Sequence, residues 1–313
     1  MTEVVIIKNW QEPDLLRQTS KSLGIWNDIH FTSDIKKECD YVVVLNYSPK
    51  IVKLSVPPEN VWCLMQEPPN EYFKYRHKAN RVYQKVFTQD QLLKGERYIH
   101  SQPALPWHID KSYDYLKKCK PFDKPLKLSC ITSNKRNFQG QQERMDFLEK
   151  LKNRLHMDIF GKGINPIKNK WDSLYPYRYS LVIENFKGPD YWSEKLADCF
   201  LAWTMPIYYG CTNIDDYFPK ESLVKIDINS PDVFKKIKEI ISSDLWQKRR
   251  EAISYARELI LEKYQFFPFI VSKIKEWEKN QKNKLKKEKV IIPNEDTLKV
   301  NTILNFKRII GKL

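Results

Sequence analysis

Glycine is scarce here: eight in 313 residues, and none arranged as G-x-G-x-x-G. That argues against a nicotinamide or flavin enzyme, because such a turn needs glycines to bring backbone close to a pyrophosphate. The six cysteines, Cys39, Cys63, Cys119, Cys130, Cys199 and Cys211, include no C-x-x-C pair, and the five histidines are dispersed. Neither a disulfide framework nor a metal cluster of His, Cys and acids is expected, so no metal ligand is assigned. Cys63, Cys130 and Cys199 lie in apolar runs, where a reduced thiol behaves as a small core residue. No window approaches the ~18 uninterrupted apolar residues of a membrane-spanning helix. The first residues, Met1 to Lys8, place an acid before a short apolar run. They read as a first strand and not as a signal peptide.

What is present is core-forming. Apolar residues make up 42% of the chain and aromatics 13%, enough to exclude disorder, and the length favours two domains over one. The net charge of +15 raises the question of nucleic acid. Its distribution answers it: from Val271 to Leu313 there are 12 Lys/Arg against 5 Asp/Glu, so +7 of the excess sits in that last stretch. The rest is moderately basic and has no nucleic-acid motif. A diphosphate-bearing ligand and an anionic membrane surface account for the charge equally well.

Short apolar runs at Val4 to Ile7, Tyr41 to Leu45, Val61 to Leu64 and Val86 to Thr88, with a helical stretch at Asp14 to Leu23, suggest βαβ units and a parallel sheet. From Lys111 to Pro125 periodicity is lost and two prolines occur, which marks a linker. The alternation restarts with a strand at Leu126 to Thr132, a helix near Gln142 to Leu155 and a strand at His156 to Phe160, ending in Gly161-Lys162-Gly163. Helices are expected near Pro231 to Ser242 and Asp244 to Tyr264. The expected domains are therefore residues 1–120, 121–264 and a basic tail, 265–313. Asp215-Asp216 sits in a turn and reads as a helix cap.

The segment from Tyr179 to Gly210 carries the most information. Ser180 to Ile183 is a β-forming run that empties into Glu184 and Asn185 at a strand's carboxyl end, where ligands of open α/β sheets bind. Lys187 to Asp190 break the pattern, and a helix is expected from near Tyr191, with Leu196, Phe200 and Trp203 at spacings of four and three. A lysine at 195 is unusual in a first turn, where the helix dipole is already positive. An anion would explain it: free N–H groups and an ammonium together hold a diphosphate without a metal, leaving Glu194 to accept hydrogen bonds from ribose hydroxyls. A solvated Glu-Lys pair opening an ordinary amphipathic helix is the alternative at this level.

Glu184-Asn185, Tyr191, Ser193-Glu194-Lys195, the alanine before Trp203 and Met205-Pro206-Ile207-Tyr208-Tyr209-Gly210 resemble the signature of glycosyltransferase family 10, the α-1,3/α-1,4-fucosyltransferases. Ile183 stands where the family has phenylalanine and Ser193 where it has threonine. The resemblance implies an α/β fold of the GT-B type, with two Rossmann-like domains facing a cleft and, in this chain, a helical basic C-terminal tail. It implies an inverting transfer of L-fucose from GDP-β-L-fucose to a glycan hydroxyl, in α-1,3 or a similar linkage, with no metal or other cofactor. Donor contacts then fall to Asn185, Tyr191, Glu194, Lys195, Arg144, Glu184 and Ser193, with Arg136 a second-rank candidate. Glu67, after the strand Val61 to Leu64 and before Pro68-Pro69, stands where relatives place the general base. Another nucleotide sugar, or a basic protein binding nucleic acid or anionic membrane, remain the competing readings.

Eukaryotic relatives usually carry an N-terminal membrane anchor. None is seen here, so a cytoplasmic, bacterial-type enzyme acting on lipid-linked or surface glycans is expected. In the tail, Val300, Ile303, Leu304, Phe306 and Ile310 would form one apolar face of a helix edged by Lys299, Lys307, Arg308 and Lys312, an interfacial pattern that predicts peripheral contact with an anionic membrane.

Overall fold

A computed structural model describes residues 1–281, 283 and 285–299, apart from the side chains of 71–73. The chain forms two compact units, Met1–Ala104 with the segment from Phe269 onward, and Leu105–Pro268.

The first unit is built on β1 (Thr2–Ile7), β2 (Ile25–Trp26), β3 (Ile29–Thr32), β4 (Tyr41–Leu45), β5 (Val52–Val56), β6 (Val61–Leu64), β7 (Lys85–Thr88) and β8 (Tyr98–His100). Seven of these make one sheet in the order β2-β3-β1-β4-β6-β7-β8. All its pairings are parallel except β2 with β3. Every residue of β4 and β6 is buried, as continuous Val/Leu/Trp runs covered on both faces require. Asp14 to Leu23 is not the expected helix but two short 3₁₀ turns, Leu16–Gln18 and Ser20–Ser22. Thr19 is the reason: its hydroxyl donates to Leu16 O at 2.7 Å and accepts from Gly24 N–H at 2.9 Å, local bonds that compete with a helical ladder.

In the second unit β9 (Leu126–Ile131), β10 (Asp158–Phe160), β11 (Tyr177–Ile183), β12 (Met205–Tyr209) and β13 (Val224–Lys225) form an all-parallel sheet ordered β10-β9-β11-β12-β13. Its helices include α1 (Tyr113–Lys118), α2 (Gln139–Lys152), α3 (Glu194–Leu201), α4 (Val233–Ser242), α5 (Leu245–Lys248) and α6 (Arg250–Leu259). The stretch read as a linker contains α1, capped by Ser112 Oγ accepting from Tyr115 N–H. Trp107, Ile109 and Leu116 are buried in this unit's core, so the unit begins ahead of the boundary expected at 120/121. Two parallel α/β units agree with the expected fold class.

The segment expected as a tail returns to the first unit. After α7 (Phe266–Lys279) comes β14 (Glu288–Ile292), antiparallel to β5 with Ile292 opposite Val52. Phe269 meets Phe87 edge-on at 5.5 Å, and Trp277 Nε1 donates to Asn60 Oδ1 at 3.0 Å. Glu295 pairs with Arg76 at 3.0 Å, and Leu298 is buried. Only three apolar residues, Val290 to Ile292, follow a lysine-rich run, so the strand has little signal of its own in the sequence. The expected amphipathic face from Val300 to Ile310 lies outside the described residues.

Ile292 has no exposed surface, so Ile292→Ala is expected to cost about 2–5 kcal/mol in urea denaturation. A variant as stable as the parent would show that this segment does not pack on the first unit.

Candidate active site

From β9 the second unit's chain steps to β10 on one side and to β11 on the other. This reversal makes a topological switch point, and the crevice beyond the strands' carboxyl ends is where open α/β sheets take ligands. A cavity of about 410 Å³ lies there. Thr132 and Ser133 reach it from the end of β9, Gly161 and Lys162 from the end of β10, Arg144 from α2, Lys170 from the 3₁₀ turn Lys170–Ser173, and Glu194 and Lys195 from α3. Two glycines let the walls close. A Cβ on Gly161, whose φ is +129°, would strike the carbonyl oxygen of Thr132, and one on Gly140 would strike that of Asn185. Thus α2 starts against the Asn185 loop, with Arg144 one turn further along.

Glu184 is the fastening of this site. It is 2% exposed, and Oε1 accepts from the Ser193 N–H at 2.8 Å and hydroxyl at 2.9 Å. Lys195 Nζ lies 3.4 Å from Oε2 and donates to Ser193 Oγ at 3.0 Å. Ser193 also caps α3, its Oγ accepting from Lys195 N–H, so the helix opens at Glu194, three residues after the expected start. The chain before it is bound to Asn213 instead: Asp190 N–H donates to Asn213 Oδ1 at 2.8 Å.

A second set of charges was not visible in the sequence. Lys170 Nζ lies 3.4 Å from both Glu194 Oε1 and Asp198 Oδ2, and 3.5 Å from His108 Nδ1. Asp198 Oδ1 accepts from the His108 backbone N–H at 2.8 Å. Burial works to raise the Glu194 carboxyl, but Lys195, Lys170 and His108 outweigh it and hold it well below the usual carboxylate range. Asp198 goes the other way: burial, helped by Glu194 and opposed by Lys170, lifts it from 3.8 to about 6. Burial would depress Lys170, and the two carboxylates more than offset that. Glu194 and Asp198 are four apart on α3 and share a face; an acid among Leu196, Ala197, Cys199 and Phe200 was the one signal available.

Arg144 is 4% exposed, and among the described residues it makes no ion pair; its Nε has no hydrogen-bond partner. Burial lowers its pKa, against the pull of Cys130 and Glu184. A guanidinium in that state lacks an anion. Arg136 is turned to solvent, paired with Asp146 and Glu149 at 2.5 Å each. Of the donor residues read from the sequence, Arg144, Glu194 and Lys195 line the cavity, while Glu184 and Ser193 stand behind Lys195. Asn185 and Tyr191 bond each other, the Tyr191 hydroxyl donating to Asn185 Oδ1 at 3.2 Å, and Tyr191 packs edge-on against Phe186. Asp215 pairs with Lys225 at 2.6 Å beside the turn Ile214–Asp216. Among the described residues no group of three or more metal-ligating side chains is found.

Glu67 belongs to the first unit, past the carboxyl end of β6. Asn46, at φ +61°, accepts from the N–H groups of Gln66 at 2.7 Å and Glu67 at 3.2 Å. The Glu67 side chain is exposed beside a cavity of about 30 Å³ that Arg76, His77 and Asp90 also line.

A cationic cavity at the switch point of a parallel sheet is the arrangement of α/β units that hold phosphorylated ligands. Residues 124–256 match the family described as glycosyltransferase family 10 (fucosyltransferase) C-term. The match includes Tyr179 to Gly210, the segment that carries the sequence resemblance. It is similar to the 3-galactosyl-N-acetylglucosaminide 4-alpha-L-fucosyltransferase of Homo sapiens, 23% identical over 243 residues, 72% of this chain and 64% of that relative. It is also similar to the 4-galactosyl-N-acetylglucosaminide 3-alpha-L-fucosyltransferase 9 of Mus musculus, 26% identical over 126 residues, 38% of this chain and 35% of that one. Among solved structures, an alpha1,3-fucosyltransferase with GDP-fucose is similar with a TM-score of 0.47 at 16% identity, covering 85% of this chain and 94% of that one.

The raised Asp198 carboxyl sets a pH dependence. Because the folded state holds this proton more tightly, the group's contribution is full below its ordinary pKa of 3.8 and lost as pH rises through about 6. Asp198→Asn removes the loss, so the stability of the variant relative to the parent should improve from pH 4 to pH 7 by up to about 3 kcal/mol. Urea midpoints at both pH values check this, and a pH-independent difference would contradict it.

Proposed function

We propose that this chain is a fucosyltransferase that moves L-fucose from GDP-β-L-fucose to a hydroxyl of a glycan acceptor, by a single inverting displacement that needs no metal. The observation that carries the reading is Arg144, a buried guanidinium with no ion-pair partner among the described residues, lining one cavity with Lys195 and Lys162. A nucleoside diphosphate supplies the missing anion. The family 10 domain at residues 124–256 supports fucose and guanine over other sugars and bases.

In this reading the diphosphate lies across the loops after β9 and β10, against the start of α3. Arg144 and Lys195 offset the charge that grows on the departing GDP as its bond to the sugar breaks, which is where fixed cations contribute most. Glu194, kept ionised by Lys170 and Lys195, accepts hydrogen bonds from the ribose. Glu184 and Ser193 keep the Lys195 ammonium in place. Glu67 takes the proton from the acceptor hydroxyl as its oxygen attacks the anomeric carbon from the face opposite GDP.

Arg144→Met keeps the stem's volume and removes a buried charge. GDP affinity is expected to fall roughly 10- to 150-fold, the worth of a charge-assisted contact, while ligand-free stability holds or rises. Calorimetric titration and urea denaturation read the two separately; unchanged GDP affinity would refute the donor site, and a loss of stability alone would assign Arg144 to the core. For the base, Glu67→Gln should keep donor affinity and lower turnover by about 10²–10⁴-fold. A variant that retains a tenth of parental turnover would rule Glu67 out.

A further inference from the structure

The first unit has a larger cavity that the transfer reaction does not use. Its volume is about 1280 Å³, beyond the roughly 300–1,000 Å³ of a usual small-molecule site. It lies at the opposite end of the sheet from Glu67: Lys85 opens β7, and Arg97 and Tyr98 stand where β8 begins. Lys78, Arg81, Lys85, Lys94 and Arg97 are in its wall, against one acid, Glu96.

Those cations are not spent on neighbours. Among the described residues Arg81, Lys85, Lys94 and Arg97 make no ion pair within 4 Å, although the same unit pairs Lys36, Arg76 and Lys287 with acids. Lys85 sits over the Trp277 ring at 4.6 Å and feels Glu276 only beyond ion-pair distance, and Arg97 donates to the Asn80 carbonyl; none of these contacts is an ion pair. A single monoanion would leave most of these cations facing each other, at a cost that a low-dielectric concavity magnifies.

We infer that this cavity is a second ligand site, for a molecule carrying two or more phosphate groups, held by Arg81, Lys94, Lys85 and Arg97 and separate from the nucleotide cavity of the second unit. Its place at the amino-terminal end of β7 and β8 puts the ligand away from Glu67, so occupancy positions the enzyme on a phosphorylated carrier without entering the reaction. The inference does not rest on the donor assignment.

The test titrates tripolyphosphate into the full chain at low salt, and compares the parent with Arg81→Glu/Lys94→Glu, two exposed positions. Loss of binding by roughly tenfold or more is expected, since two charge-assisted contacts become repulsive, together with weakening as salt rises. GDP, titrated in parallel, should bind both proteins alike. If the double variant does not fold, Lys94→Gln alone should weaken tripolyphosphate several-fold. Co-sedimentation with cardiolipin vesicles, whose headgroup carries two phosphates, but not with phosphatidylcholine ones, that is lost in the variant identifies a lipid headgroup as the source; tripolyphosphate binding without vesicle binding identifies a soluble phosphate. Equal tripolyphosphate affinity in parent and variants, or none in the parent, overturns the second site whatever GDP does.

Discussion

The buried carboxylate of Glu184 is the contact on which the second unit's site depends. It sits where β11 ends and takes the N–H and hydroxyl of Ser193, the residue that starts α3. One side chain thereby joins a strand end, a helix cap and the Lys195 ammonium. Breaking such a buried charged set by removing one partner costs about 3–5 kcal/mol, because the remaining charge is left uncompensated. The helix start could not then hold its register, and Glu194 and Lys195 would lose the geometry that makes an anion site.

Around that fastening the charges are deliberately unbalanced. Glu194 is satisfied by Lys170 and Lys195, and Asp198 by Lys170 and the His108 N–H. Arg144, at 4% exposure, has no such partner among the described residues. A fold selected for stability alone would have filled this position with an apolar side chain. Keeping a guanidinium there makes sense when binding free energy from a phosphorylated ligand offsets the cost, which ties the packing of α2 on the Asn185 loop to function.

Much of this was legible. Apolar runs such as Tyr41 to Leu45 and Ser180 to Ile183 announced parallel strands, and the Ser193-Glu194-Lys195 spacing pointed to the start of α3, where Glu194 and Lys195 line the cavity. What stayed hidden had physical reasons. Lys170 and His108 reach Glu194 and Asp198 only through tertiary packing, across 24 and 90 residues of chain respectively, and local periodicity holds no trace of that. Trp107, Ile109 and Leu116 belong to the second core, yet Trp107 and Ile109 were read with the first domain, and the lysines and prolines around Leu116 read as a linker. In β14 the lysine-rich context masked a strand whose partner, β5, lies more than two hundred residues earlier.

The Arg144, Glu194 and Lys195 cavity is the proposed seat of a guanosine diphosphate. Hydrogen exchange of the full chain with and without GDP tests it most directly, because the loops after β9 and β10 and the first turns of α2 and α3 carry the proposed contacts. Slower exchange is expected in residues 131–144, 161–170 and 191–198, with UDP giving little protection there. Exchange unchanged by GDP in all three segments, or protection by UDP equal to that by GDP, would contradict the account.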